Sequence, residues 1–149
     1  MARTDNEEYF FGSILLLANK LQVWGDGLLE GITLKQWFLL MLISKMDHRN
    51  PTVKDIANFS GTSRQNVKKM LEYLAMEGYV KLSKSQTDAR ALSVCLTKKT
   101  FEYFRTNAQK GADAVNGLFL NISENELKMA IQVTDALLSA LEKTDNEKK

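Results

Sequence analysis

Apolar positions along the chain keep a helical period, alternate through two short runs, then return to the helical period. From Glu8 to about Leu29, Phe10, Phe11, Ile14, Leu15, Leu17, Ala18, Leu21, Trp24 and Leu28 recur on one helix face and predict a long helix. Leu16 widens that stripe beyond what one partner helix would cover, and such surplus apolar surface points to a partner chain. Gly25, Gly27 and Gly31 loosen the backbone and place the helix end between Gly25 and Gly31. Thr33 to Gln36 forms a capping box flanked by the staple pair Ile32 and Trp37. A second helix therefore starts at Leu34 and runs through Trp37, Leu40, Met41 and Ile43 to about Lys45. Pro51 disfavours helix at Asn50, which makes the run from Asp47 through His48 to Pro51 a loop.

Thr52 caps a short helix over Val53 to Phe59. Ala57, Gly61 and Val67 are then spaced as two crossed helices require: a small residue at the approach, glycine at the bend, a β-branched filler between the axes. Thr62 and Gln65 make a second capping box, placing the next helix at 63–77 with its start near Ser63. Val67, Met70, Leu71 and Leu74 form its buried face, with Arg64, Gln65, Lys68, Lys69 and Glu72 opposite. Gly78 ends it as a C-cap glycine would, and the period changes to two. Tyr79 to Ser83 and Ala91 to Leu96 both alternate, so Val80 and Leu82 face the same core as Leu92, Val94 and Leu96. The polar run from Lys84 to Arg90 is the exposed tip of a hairpin, giving a wing over 83–91. Thr97 caps a helix from Lys98 carrying Phe101, Phe104, Ala108, Ala112 and Val115 on one stripe, in which Gly111 and Gly117 predict a kink or early fraying. Ser123 to Glu126 is a third capping box, with Ile122 and Leu127 as its staple. The last helix carries Leu127, Ala130, Ile131, Val133, Thr134, Leu137, Leu138 and Leu141 and dissolves into a charged tail from Lys143 to Lys149.

The fold these elements predict is mainly α with a small β-hairpin wing: a winged helix-turn-helix at 32–99 between an N-terminal dimerisation helix at 1–31 and C-terminal dimerisation helices at 100–149. Charge sharpens that reading. The net charge of +2 over 149 residues hides an uneven division. Arg49 to Arg105 holds eleven Lys/Arg against five Asp/Glu, a balance of +6, and the remainder balances at −4. Positive charge is concentrated where phosphate would be met, as counterion-release binding requires. Arg and Lys match the acceptors of guanine and Gln those of adenine, so Arg64, Gln65, Lys68 and Lys69 are candidates for groove or phosphate contacts. Thr62 and Ser63 sit at the positive helix end, which suits a phosphate. Gln65 has two competing uses, capping and base reading. Lys84 lies in the wing, where Arg90 suits a minor groove and Asp88 is placed to hold its guanidinium. Two blander readings stand beside this: a solvated helix face, and a winged-helix protein-interaction module without DNA binding.

The run from Ile32 to Lys99 resembles the MarR family of bacterial transcriptional regulators. Ile32-Thr33-Leu34-Lys35-Gln36-Trp37, Asp88-Ala89-Arg90 in the wing and Val94-Cys95-Leu96-Thr97 at its close carry the likeness. The chain departs from the family at Thr100, where a glycine commonly follows the wing, and at Ser83-Lys84, where arginines are common. The resemblance implies a homodimer on a pseudo-palindromic double-stranded operator, repression, and release by a small aromatic effector. Trp24, Trp37, Phe38 and Met41 are candidates for the effector cleft, though aromatics at helical spacing also serve as ordinary core.

Other chemistry finds little support. His48 is the only histidine and, with one cysteine, leaves too few ligands for a metal site within the chain. No phosphate-cradling glycine loop is present, so neither an enzyme nor a cofactor is expected. Cys95 reads as an ordinary strand residue, because redox-sensing members of the family place their cysteine near the N-terminus. A single cysteine fits a reducing cytosol, and no apolar run approaches the length of a membrane span, so the expected location is cytoplasmic.

Overall fold

The computed structural model describes residues 2–47 and 50–148, so His48 and Arg49 of the expected loop and the last residue of the tail lie outside the described residues. Along the chain come α1 (Arg3–Leu28), α2 (Leu34–Lys45), α3 (Val53–Ser60), α4 (Arg64–Met76), β1 (Val80–Lys84), β2 (Leu92–Leu96), α5 (Lys98–Phe119) and α6 (Glu124–Glu147). Two compact units result, Met1–Phe104 and Arg105–Lys149.

In the first unit, α1 begins earlier than its apolar stripe does. Its opening turn is polar: Arg3 pairs with Glu7 at 2.8 Å and Asp5 accepts from the Ala2 amide at 3.1 Å. Such a turn carries no hydrophobic period and is invisible to one. The box before α2 forms as its residues demand, with the Gln36 amide on Thr33 Oγ1 at 3.2 Å and the Thr33 amide on Gln36 Oε1 at 2.9 Å. Thr52 and Asp55 cap α3 in the same reciprocal way. Gly61 follows α3 with φ 69°, the left-handed region that glycine enters without strain. Ala57 and Val67, which face that bend from its two sides, are both buried.

A Schellman motif closes α4. The Tyr79 amide reaches the Leu74 carbonyl at 2.8 Å and the Gly78 amide the Ala75 carbonyl at 3.0 Å, with Gly78 at φ 81°. Chain direction then reverses into β1, which pairs antiparallel with β2 from Val80↔Leu96 to Lys84↔Leu92. Four of the five residues that the alternation turned inward do so: Val80 and Val94 are buried, and Leu82 and Leu96 pack against the core, whereas Leu92 is only half-buried and its neighbour Ser93 is buried. A bridge from Thr52 to Ser93 and the bond from the Val94 amide to the Pro51 carbonyl at 2.9 Å attach the hairpin to the chain entering α3. Leu40, Ile56, Val67, Leu71, Leu74 and Val94 are wholly inaccessible at the centre. Each contributes roughly 1.5–3 kcal/mol of transfer energy, which holds the bent helix pair rigid.

Three expectations about the later helices need correction. Thr97 precedes a helix beginning at Lys98, but its hydroxyl donates to the carbonyls of Gly78 (2.6 Å) and Tyr79 (3.0 Å) instead of capping. The wing's return strand delivers Thr97 beside the turn that follows α4, where the Gly78 and Tyr79 carbonyls draw its hydroxyl. Helix α5 also runs unbroken past Gly111 and Gly117, since two glycines cost only about 1 kcal/mol each. In the second unit the Ser123 hydroxyl and amide both donate to Glu126 Oε2, at 2.6 and 2.8 Å, and these two bonds hold that carboxyl below its usual range. Helix α6 then continues to Glu147, through charged positions that are good helix formers. None of its residues is buried, and Leu137, Leu138 and Leu141 stand exposed. In the first unit, Phe11, Leu15, Leu16 and Leu17 of α1 do likewise.

Candidate nucleic-acid interface

Helix α4 starts one residue later than a Thr62 cap requires. Ser63 is the N-cap and its Oγ accepts the Asn66 amide at 3.2 Å. Two adjacent hydroxyl residues satisfy the local capping rule equally. After the left-handed Gly61 the chain bends at Thr62 and is extended only at Ser63, which takes the cap, so Gln65 falls outside it. Arg64, Gln65, Lys68 and Lys69 all remain exposed, while Val67, Leu71 and Leu74 on the other face are inaccessible. The 3.9 Å pairing of Lys68 with Glu72 is exposed on both sides and holds the ammonium weakly, by roughly a few tenths of a kcal/mol. Lys69 borders a groove of ≈ 490 Å³ together with Lys35, Phe38, Thr62, Asn66 and Met70.

The wing tip is built from its own polar groups. Ser85 donates its amide to the Ala91 carbonyl at 2.9 Å, and its Oγ accepts the Thr87 amide at 3.3 Å. Asp88 Oδ1 accepts the Arg90 amide at 2.9 Å. Asp88 therefore holds the Arg90 main chain and not its guanidinium as the sequence suggested, because a carboxylate two residues upstream reaches the amide in a short Asx turn. Arg90 and Lys84 are exposed.

Among the effector candidates, Trp37 packs on the core, Trp24 and Met41 are half-buried, and Phe38 is exposed and lines the groove beside Lys69. Cys95 is exposed and pairs with Lys81 across the hairpin. The described residues hold no cluster of three or more metal-ligating side chains, and no helix among them is long and apolar enough to cross a membrane.

A group of tyrosines behind α4 gave no signal in the sequence. Tyr73 Oη donates to the Gly31 carbonyl at 3.2 Å and Tyr103 Oη to the Glu30 carbonyl at 3.0 Å. The Tyr79 ring meets Tyr103 edge-on, with centroids 5.7 Å apart. Lys99 lies 4.4 Å over Tyr79 while its ammonium donates to the Glu77 carbonyl, at the negative end of α4. Burial raises both the Tyr79 and Tyr103 hydroxyls above their ordinary value of 10.0. Thr100 is fully buried and donates its hydroxyl to the Tyr79 carbonyl. Partners 42 and 73 residues apart share no local pattern that could have announced them.

Comparison with known proteins fits this geometry. Residues 30–91 match the family model described as MarR family. The chain is 30% identical over 116 residues, 78% of its length and 71% of the relative's, to YfiV of Bacillus subtilis, an uncharacterized HTH-type transcriptional regulator. It is 23% identical over 118 residues to the transcriptional repressor MprA of Escherichia coli, covering 79% of this chain and 67% of that protein. A solved structure of Sco3205 from Streptomyces coelicolor, a MarR family transcriptional regulator in complex with DNA, superposes with a TM-score of 0.82 at 20% identity, covering 95% of this chain and 91% of that one.

Proposed function

Because the chain belongs to the MarR family, we propose that it is a transcriptional regulator that binds double-stranded DNA as a homodimer and represses from a pseudo-palindromic operator. One observation carries the reading: an exposed row of Arg64, Gln65, Lys68 and Lys69 on a helix whose opposite face is locked in the core. In this reading 32–99 is the DNA-binding part, and the apolar helices of 1–31 and 100–149 pair with a second copy. Thr62 and Ser63 meet phosphate at the start of α4, Arg64 and Gln65 meet base edges, and Lys68 and Lys69 meet groove or phosphate. Lys84 and Arg90 extend the binding surface along the wing, and Asp88 shapes the turn that presents Arg90. Two-fold symmetry sets the half-sites about 10 bp apart, or a multiple of that. Repression needs only a dimer seated on a promoter, whereas activation needs a further contact, and a relative at 23% identity is named a repressor. The protein acts in the cytoplasm, and a small aromatic effector bound near Trp24, Trp37, Phe38 and Met41 releases it.

The test is fluorescence anisotropy with labelled duplex across a salt series. Affinity should fall steeply as salt rises, and Arg90→Ala should flatten that slope by roughly 0.9 for each phosphate that the wing then fails to neutralise. A winged-helix docking module would bind duplex at no salt concentration, and that result would remove the DNA reading.

A further inference from the structure

The connection between α1 and α2 contains three glycines in seven residues, from Gly25 to Gly31, and by composition looks loose. The structure braces it from four elements. Gly25 is buried so closely on α2 that a methyl there would stand 2.7 Å from Leu34 Cδ1 and Cδ2 and 2.8 Å from its Cβ. Asp26 Oδ1 accepts the Leu34 amide at 2.7 Å, which joins α1 to the first turn of α2. From the other side, α4 sends Tyr73 to the Gly31 carbonyl and α5 sends Tyr103 to the Glu30 carbonyl. Tyr79, at the entry to the wing, packs on Tyr103. Three of the chain's four tyrosines thus gather at this elbow.

We infer that Tyr73 and Tyr103 are positioning residues for operator binding: through the Glu30 and Gly31 carbonyls they fix the angle of α4 to α1, and so the distance between the two recognition helices of a dimer. This rests on the dimeric DNA-binding reading above. Tyr73 lies four residues beyond Lys69 on the same helix, so a swing of α4 about the elbow moves the whole cationic row. Helix α1 carries the exposed apolar residues that the reading assigns to the partner chain. One half-site is indifferent to the angle between these helices, because a single α4 docks on its own. Two half-sites on one duplex are sensitive to it, because both copies of α4 must fit the same groove spacing.

The experiment uses Tyr73→Phe, Tyr103→Phe and the double variant, which keep the rings and remove only the hydroxyls. Each is titrated against the two-half-site duplex that the wild type selects from randomised DNA, and against a duplex bearing one of those half-sites. The double variant should bind the two-half-site duplex about tenfold more weakly. Its affinity for the single half-site should stay within about twofold, it should sediment as the wild type does, and repeated selection should return mixed spacings where the wild type returns one. Each single variant should move in the same direction, which keeps the test decisive if the double variant folds poorly. Unchanged affinity for the two-half-site duplex overturns the inference alone, as does an equal loss on both duplexes, which is the signature of general destabilisation. A wild type that binds neither duplex overturns the DNA-binding reading and takes this inference with it.

Discussion

Gly61 turns the chain between the crossed helices at φ 69°, and no atom lies within 4 Å of where its Cβ would be. Its requirement is therefore conformational and not one of space. Gly61→Ala should cost about 1–2 kcal/mol in urea unfolding, and Gly61→Asn clearly less, because asparagine tolerates the left-handed region. Equal losses for the two variants would mean that crowding decides the site. This residue was legible because a glycine at that offset has few other uses. Thr62 and Ser63 were legible only as a pair, since local rules do not rank two neighbouring hydroxyls, and the turn geometry chose between them. Thr100 and the three tyrosines were not legible at all: their hydroxyls and rings find partners that only the folded chain brings near.

For whole elements, period and caps carried most of the information, and errors gathered at the ends. Helix α1 starts before its apolar stripe and α6 continues beyond its own, in both cases through charged turns with no hydrophobic signal. Glycines inside helices sort by surroundings. Gly111 and Gly117 in α5 have open space where a Cβ would go, so alanine at either should raise stability by up to about 1 kcal/mol from helix propensity alone. At Gly25 the same gain meets an overpacking cost of roughly 1–3 kcal/mol, because Leu34 Cβ itself cannot rotate away. Thermal melting should therefore show Gly25→Ala lowering Tm while Gly111→Ala and Gly117→Ala raise it. A rise at Gly25 would mean that α1 and α2 are less tightly joined than described.

At the scale of the molecule, α1 and α6 each leave a row of large apolar side chains exposed, the kind of surface that commonly marks an interaction site. The rows on α1 and α6 find no cover within their own units, which supports the proposed pairing with a second copy. Leu138→Asp, at an exposed position of α6, should convert a dimer to monomer in sedimentation while leaving the buried centre folded, and should weaken binding to a two-half-site duplex. On an ordinary surface the same change would alter stability by less than about 0.5 kcal/mol and leave the mass in solution untouched.

The wing offers one more use. Cys95 is the chain's single thiol, it is exposed, and it sits on the strand leading away from the Arg90 tip, with Val94 and not itself in the core. A maleimide dye would therefore attach at one known position without any engineered cysteine. Its emission should register the approach of duplex to the hairpin separately from events at α4, so the order in which the two halves of the interface engage becomes measurable on the natural chain.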